Sequence, residues 1–273
     1  MMPFDQLVVL ALIQGLTEFL PISSSGHLVL APHLFGWEDQ GLSYDIAAHA
    51  GTLLAVVTWF RHDLLALVSP LRARLFGGPR LTLTAVSPPP HALLIWLCVA
   101  TIPVCVVGLL GKDFIEANLR SPEVIATTTI VFGLVLGLSD WLGARRVPLE
   151  KLGVWGALWV GLAQVLALVP GTSRSGITMT AGLFLGLRRT DAARFSFLMS
   201  IPVIFLASAL ETLDLLSHLE QADWPGLAVV FVLSAVAAAV CIWAFLRILE
   251  RVGMWPFVIY RLGLGVFLLI WFK

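Results

Sequence analysis

Apolar residues run through this chain in long unbroken stretches, without the alternation or three-to-four spacing of half-buried soluble elements. Six stretches, at roughly 43–60, 91–111, 122–142, 191–213, 225–246 and 254–272, approach the length of about 20 residues that crossing a bilayer requires, and they predict spanning helices. Two further regions are apolar but broken near the middle by polar, helix-breaking sequence. Residues 4–36 break at Pro21-Ile-Ser-Ser-Ser-Gly26, and residues 151–187 break at Pro170-Gly-Thr-Ser-Arg-Ser-Gly176. Each region predicts two short helices meeting at a loop. Non-helical backbone at membrane depth survives only when buried in protein or lining a wet cavity, so both are expected to be re-entrant hairpins. An ordinary kinked pair of spans is the alternative. The predicted fold class is an all-α polytopic membrane protein, with six spanning helices plus two re-entrant hairpins in one integral-membrane domain over 1–273.

Shifting the sequence by 150 residues aligns 12–36 with 162–186 without a gap, and eight of those 25 positions are identical. Leu, Ala and Gly matches are cheap in such a chain, but Gln14/Gln164 and the shared core Ser23/Ser173, Ser25/Ser175 and Gly26/Gly176 are not. The halves are approximately 1–143 and 151–273.

Composition supports the membrane reading and excludes one class of partner. The apolar set makes up 59% of the 273 residues, charged residues only 12%, and mean hydropathy is +0.94. Seventeen basic residues balance seventeen acidic ones, with no basic run to follow a phosphate backbone, so no nucleic-acid partner is expected. Cys98, Cys105 and Cys241 lie in apolar runs and are read as packing residues. The first apolar stretch lacks a basic flank, so the N-terminus is expected to be retained. Arg61, Arg72, Arg74, Arg80, Arg145, Arg146, Lys151, Arg188, Arg189, Arg247 and Arg251 fall on one predicted side, against Lys112, Arg120 and Lys273 on the other. Cytoplasmic loops carry the excess, which predicts that residues 1–42 and the acidic loop 211–223 lie outside. The hairpins then enter from opposite sides, an inverted repeat whose Ser-x-Ser-Gly loops meet near the midplane.

Those loops suggest anion chemistry. A helix that starts after such a loop aims free N–H groups at it, and with serine hydroxyls they cradle phosphate. Ser23, Ser25 and Gly26 from the first copy, with Thr172, Ser173, Ser175 and Gly176 from the second, are the candidate binding residues. The copies differ where chemistry is needed: Glu18, Ser24 and His27 face Leu168, Arg174 and Ile177. An ionised Arg174 in an apolar hairpin is a functional candidate by default. Gln14 and Glu18, one helical turn apart, suit a hard divalent cation (Mg2+ or Ca2+) that shares phosphate oxygens. His27, three residues after Ser24, is placed for base-assisted attack by that hydroxyl, and Glu18 is the alternative base. His33, His49, His62, His91 and His218 show no metal-ligand spacing.

The runs Gln14-Gly-Leu-Thr-Glu18-Phe-Leu-Pro-Ile-Ser-Ser-Ser-Gly-His27 and Pro170-Gly-Thr-Ser-Arg-Ser-Gly176 resemble the two signature motifs of the bacterial undecaprenyl-diphosphate phosphatase, or bacitracin-resistance, family. The likeness extends over essentially the whole chain and includes Phe195-Ser-Phe-Leu and the Ile-Tyr-Arg run around Arg261. It implies hydrolysis of a polyprenyl diphosphate to the monophosphate and inorganic phosphate in the bacterial inner membrane, recycling the carrier for cell-wall assembly. It also implies roles for Gln14, Glu18, Ser24, His27 and Arg174. Many members have Glu where this chain has Gln14, so a two-carboxylate cation site is not implied here. The partners expected are the lipid substrate and the bilayer; a homodimer is left open. The rival reading is a carrier that moves a polyprenyl phosphate between leaflets, because broken hairpins in an inverted repeat are also a transporter architecture. The crowding of Glu18, Ser24 and His27 into one copy favours bond breaking.

Overall fold

The computed structural model describes residues 2–38, 40–76, 88–143, 145–215 and 223–272, and these form eleven α-helices. They are α1 (Phe4–Thr17), α2 (Ser24–Phe35), α3 (Leu42–Trp59), α4 (Arg61–Phe76), α5 (Pro90–Asn118), α6 (Pro122–Leu142), α7 (Gly153–Val165), α8 (Arg174–Phe184), α9 (Arg189–Leu215), α10 (Trp224–Val252) and α11 (Trp255–Trp271). Among the described residues the only strand-like pairing is an isolated parallel bridge between Val147 and Leu187. Arg80, His218, Lys273 and residues 216–222 of the acidic loop lie outside the described residues.

Among the described residues four helices are long and apolar enough to cross a membrane: Pro90–Gly111, Pro122–Leu142, Arg189–Leu210 and Trp224–Val252. The six expected spans do not all take that form. The one expected at 43–60 reaches spanning length only as α3 together with Arg61–Ser69 of α4, and the two are bent by 72°. The one expected at 254–272 becomes α11, whose 17 residues extend roughly 26 Å against a hydrocarbon core of about 30 Å. Hydropathy recorded where the apolar surface is, not how straight the helix beneath it runs.

Both predicted breaks are present, with a local cause. Proline has no N–H to continue a helix. The last amide bond of α1 runs from Glu18 N to the Gln14 carbonyl, and the chain turns through Pro21 before α2 starts. Serine restarts the helix in both copies. The Ser23 hydroxyl accepts from the Gly26 amide at 3.4 Å and the Ser173 hydroxyl from the Gly176 amide at 3.1 Å, and each closes an N-cap. The two caps share a backbone conformation rare outside glycine, with φ of 74° at Ser23 and 71° at Ser173. Such a residue costs on the order of 1–3 kcal/mol and persists where its surroundings over-determine it.

The halves interlock. Helix α1 packs on α10 and α7 on α5, so each broken region leans on the long helix of the other half. Close approach makes this possible: a Cβ at Gly15 would stand 2.8 Å from the Ser234 carbonyl of α10. Phe19, beside the first break, is fully buried and meets Phe197 of α9 edge-on at 5.2 Å; Phe197 meets Phe245 of α10 at 5.8 Å. That aromatic column fixes the turn carrying Glu18. At one end of the molecule, buried Asp140 accepts from Arg189 Nε and Nη2 at 2.6 and 2.8 Å and from the Met254 amide at 3.3 Å. These bonds gather the connections after α6, α8 and α10, which the sequence assigned to the basic side. Of the cysteines, only Cys241 is buried; its thiol donates to the Leu16 carbonyl, and all three are free.

Candidate functional site

The two serine loops meet. Ser175 Oγ donates to the Leu20 carbonyl at 2.8 Å, joining the second loop to the first break across 155 positions of sequence. Gly171 makes the junction possible, since with φ of 88° it lies against Thr128 and the Ile125 carbonyl of α6, where any side chain would overlap. Thr128 and Thr129 of α6 complete the seam by donating to the Pro170 and Gly171 carbonyls at 2.6 and 3.3 Å.

Glu18 is the hub of the polar cluster built at this seam. One carboxylate oxygen accepts from Arg174 Nη2 at 2.9 Å; the other accepts from Ser24 Oγ at 2.7 Å and from Gln14 Nε2 at 3.0 Å. The structure therefore brings together Gln14, Glu18, Ser24 and Arg174, drawn from both copies of the repeat. Glu18 and Arg174 have side chains only 6% and 13% exposed, so the ion pair sits largely out of solvent. Arg174 Nη1 also reaches the Ser196 carbonyl of α9 at 3.4 Å, and the Ser196 hydroxyl is 2.7 Å from that of Thr178.

His27 sits differently from the sequence expectation. Its Nδ1 donates to the Ser23 carbonyl at 2.7 Å, since a carbonyl can only accept, and Nε2 pairs with the Tyr260 hydroxyl at 2.6 Å. The rings of His27 and Tyr260 stack 5.7 Å apart. Both nitrogens are thus engaged by groups other than Ser24, whose acceptor is Glu18. The second loop is likewise more buried than a shared cradle suggests. Thr172 has no exposure, and Ser173, Ser175 and Gly176 are buried, with the two serine hydroxyls 3.2 Å apart. Ser24 and Ser25 keep exposure, and Ser25 Oγ lies 3.4 Å from Ser23 Oγ. The face open to a ligand is supplied mainly by the first loop and Arg174, while the second loop holds the seam.

The donor set fits a divalent cation in a limited way. Gln14 Oε1 is a buried hard oxygen without a hydrogen-bond partner, next to the Glu18 carboxylate. Among the described residues no three His, Cys, Asp or Glu side chains gather as a metal site, so such a cation would complete its shell with ligand oxygens.

Three contributors were given no role in the site by the sequence reading. His49 of α3 places Nε2 4.0 Å from Glu18 Oε2. Tyr260 and Arg261 of α11 contact His27 and the carbonyls of both loops. The signal for Arg261 was available, since it is an ionisable residue inside an apolar segment, the same mark that singled out Arg174. His49 carries no comparable local mark.

The family described as bacitracin resistance protein BacA matches residues 7–267. An undecaprenyl-diphosphatase of Alcanivorax borkumensis is 55% identical over 271 residues, covering 99% of each chain. Another of Colwellia psychrerythraea is 52% identical over 98% of each, and undecaprenyl-diphosphatase 2 of Stutzerimonas stutzeri is 52% identical over 100% of this chain and 99% of its own.

Proposed function

Because the chain belongs to the bacitracin resistance protein BacA family, we propose that it removes the terminal phosphate of undecaprenyl diphosphate, leaving the monophosphate carrier for cell-wall assembly. The observation that carries this reading is the convergence on Glu18 of a hydroxyl from one loop and a guanidinium from the other. A diphosphate on a prenyl tail needs its tail in lipid and its head in a polar cleft between apolar helices. The cluster around Glu18 supplies polar and charged groups for the head among apolar helices.

Ser24 attacks the terminal phosphorus while its proton passes to Glu18 Oε2 along the existing 2.7 Å bond. Arg174, already shared between Glu18 and the Ser196 carbonyl, turns its fork to the phosphoryl oxygens and stabilises the charge that gathers there. The P–O bond to the carrier phosphate breaks, and water then cleaves the phosphoserine, its proton taken by Glu18 as Ser24 regains one. Glu18 and Gln14 are the residues that would hold a divalent cation, which would draw charge from the phosphoryl oxygens. Direct attack by water is the alternative within the same class. His27 is placed to orient the first loop rather than to take the Ser24 proton, since its nitrogens already face Ser23 and Tyr260.

Purified protein in detergent is expected to release phosphate from a polyprenyl diphosphate, to stop in excess chelator, and to recover with Mg2+ or Ca2+. Absence of release under all three conditions would leave the lipid carrier as the better reading.

The same proposal places two re-entrant hairpins among the spans, with the cleft opening to the outer, periplasmic face of the inner membrane. Its support is the Lys/Arg asymmetry together with the gathering of basic connections around Asp140 at one end. In a background with Cys98, Cys105 and Cys241 replaced by Ala, a cysteine introduced at Phe4 is expected to react with an impermeant thiol reagent in intact cells. Reaction only after lysis would reverse the orientation.

A further inference from the structure

Among the described residues Arg261 is the largest side chain with no solvent exposure, and each of its hydrogen-bond partners is a backbone carbonyl. Nε donates to Thr129 at 3.1 Å and Nη2 to Thr128 at 3.4 Å, both on α6. Nη1 donates to Pro21 at 3.2 Å and to Thr172 at 2.9 Å, and Nη2 also donates to Gly171 at 2.9 Å. Pro21 and Gly171 are equivalent positions under the 150-residue repeat. One guanidinium therefore grips the same carbonyl in both copies, at the seam where the copies meet.

This grip acts on the reacting groups through the planarity of the peptide. In a trans peptide the C=O and the following N–H point in opposite directions. Drawing the Thr172 carbonyl toward Arg261 turns the Ser173 amide away from it, fixing the positive-φ cap from which Arg174 departs. On the first loop, the hold on Pro21 sets the turn between Glu18 and Ser24. The adjacent Tyr260 reaches the same loop through its 2.6 Å bond to His27. Arg guanidinium is suited to this task because its donors fan out in one rigid plane, whereas a lysine ammonium cannot meet carbonyls on both sides.

We propose that Tyr260 and Arg261 form a positioning unit of the phosphate site: Arg261 registers the two serine loops against each other, and Tyr260 holds His27 on the first. Neither touches the reacting phosphorus. The proposal rests on the hydrolase reading for its kinetic consequences and on the hydrogen bonds alone for its structural ones.

The test combines Arg261→Lys with Tyr260→Phe in purified full-length protein, read by steady-state phosphate release and by hydrogen exchange. For Arg261→Lys, kcat is expected to fall by about 10²-fold, the scale of a misplaced reacting group, with KM within about two-fold of wild type. Exchange should rise together over 20–27 and 170–177, while α5 and α10 keep their protection. Unchanged kcat, or exchange rising in one loop only, would each overturn the proposal. Should Arg261→Lys fail to fold, Tyr260→Phe decides, since its ring is half exposed and the substitution removes only the hydroxyl. A lowered kcat with a displaced pH profile supports the unit, and a wild-type profile removes it. If wild-type protein releases no phosphate, the hydrolase reading fails, and the paired exchange of the two loops still decides the role of Arg261.

Discussion

Glu18→Gln is expected to abolish turnover, lowering kcat by at least about 10³-fold, within the range that a positioned general base contributes. The carboxylate serves three partners at once: Ser24, which needs an acceptor for its proton, Gln14, and Arg174, which needs a counter-charge. The amide keeps the shape and removes the charge. Breaking a buried ion pair by removing one partner costs roughly 3–5 kcal/mol, so the variant should also melt earlier in detergent. The cation requirement should change as well, because Glu18 is the only carboxylate in either signature motif. Gln14→Glu is the informative companion. It replaces the amide that now donates to Glu18 with a second carboxylate, and two facing carboxylates call for a cation between them. Activity should persist and lean more heavily on added Mg2+ or Ca2+. Wild-type turnover and metal dependence in Glu18→Gln would remove both the proton acceptor and the cation site proposed here.

Much of this site was legible in the sequence because its parts announce themselves locally. A proline followed by a serine- and glycine-bearing polar run marks both breaks locally, and the matching caps at Ser23 and Ser173 follow from that local chemistry. The repeat told which loops should face each other, and the Ser175–Leu20 bond joins them. What sequence could not supply was the direction of each side chain at the seam. Spacing put His27 within reach of Ser24, yet one turn of α2 carries the imidazole toward Tyr260, 233 positions away. Similarly, Ser173 and Ser175 read as a ligand cradle because hydroxyls beside a helix start suit anions. Their burial depends on how deeply Gly171 lets the second loop press into α6, a tertiary fact. The helices expected at 43–60 and 254–272 are present as α3 and α11; what the sequence did not show is the 72° bend that joins α3 to α4, where no proline or glycine stands.

Ser24→Ala and Arg174→Ala should both disable the enzyme, by routes that can be told apart. The two residues occupy equivalent positions of the repeat and hold opposite oxygens of the Glu18 carboxylate. If Arg174 stabilises charge mainly in the transition state, Arg174→Ala should lower kcat by about 10² to 10³-fold, the scale of one preorganised donor in an oxyanion hole. Arg174→Lys should recover only part of that, because a point charge cannot bridge Glu18, the Ser196 carbonyl and a phosphoryl oxygen as the planar fork does. Ser24→Ala should be at least as damaging, since it removes the attacking oxygen and leaves Glu18 without the proton it is placed to accept. Rapid quench with substrate labelled in the terminal phosphate separates the alternatives. Label should be trapped on wild-type protein and absent from Ser24→Ala. In Arg174→Ala it should form slowly at Ser24, because the nucleophile and its base survive. Substantial turnover by Ser24→Ala, with no trapped label in the wild type, would transfer the attack to water and reduce Ser24 to a hydroxyl that steadies Glu18.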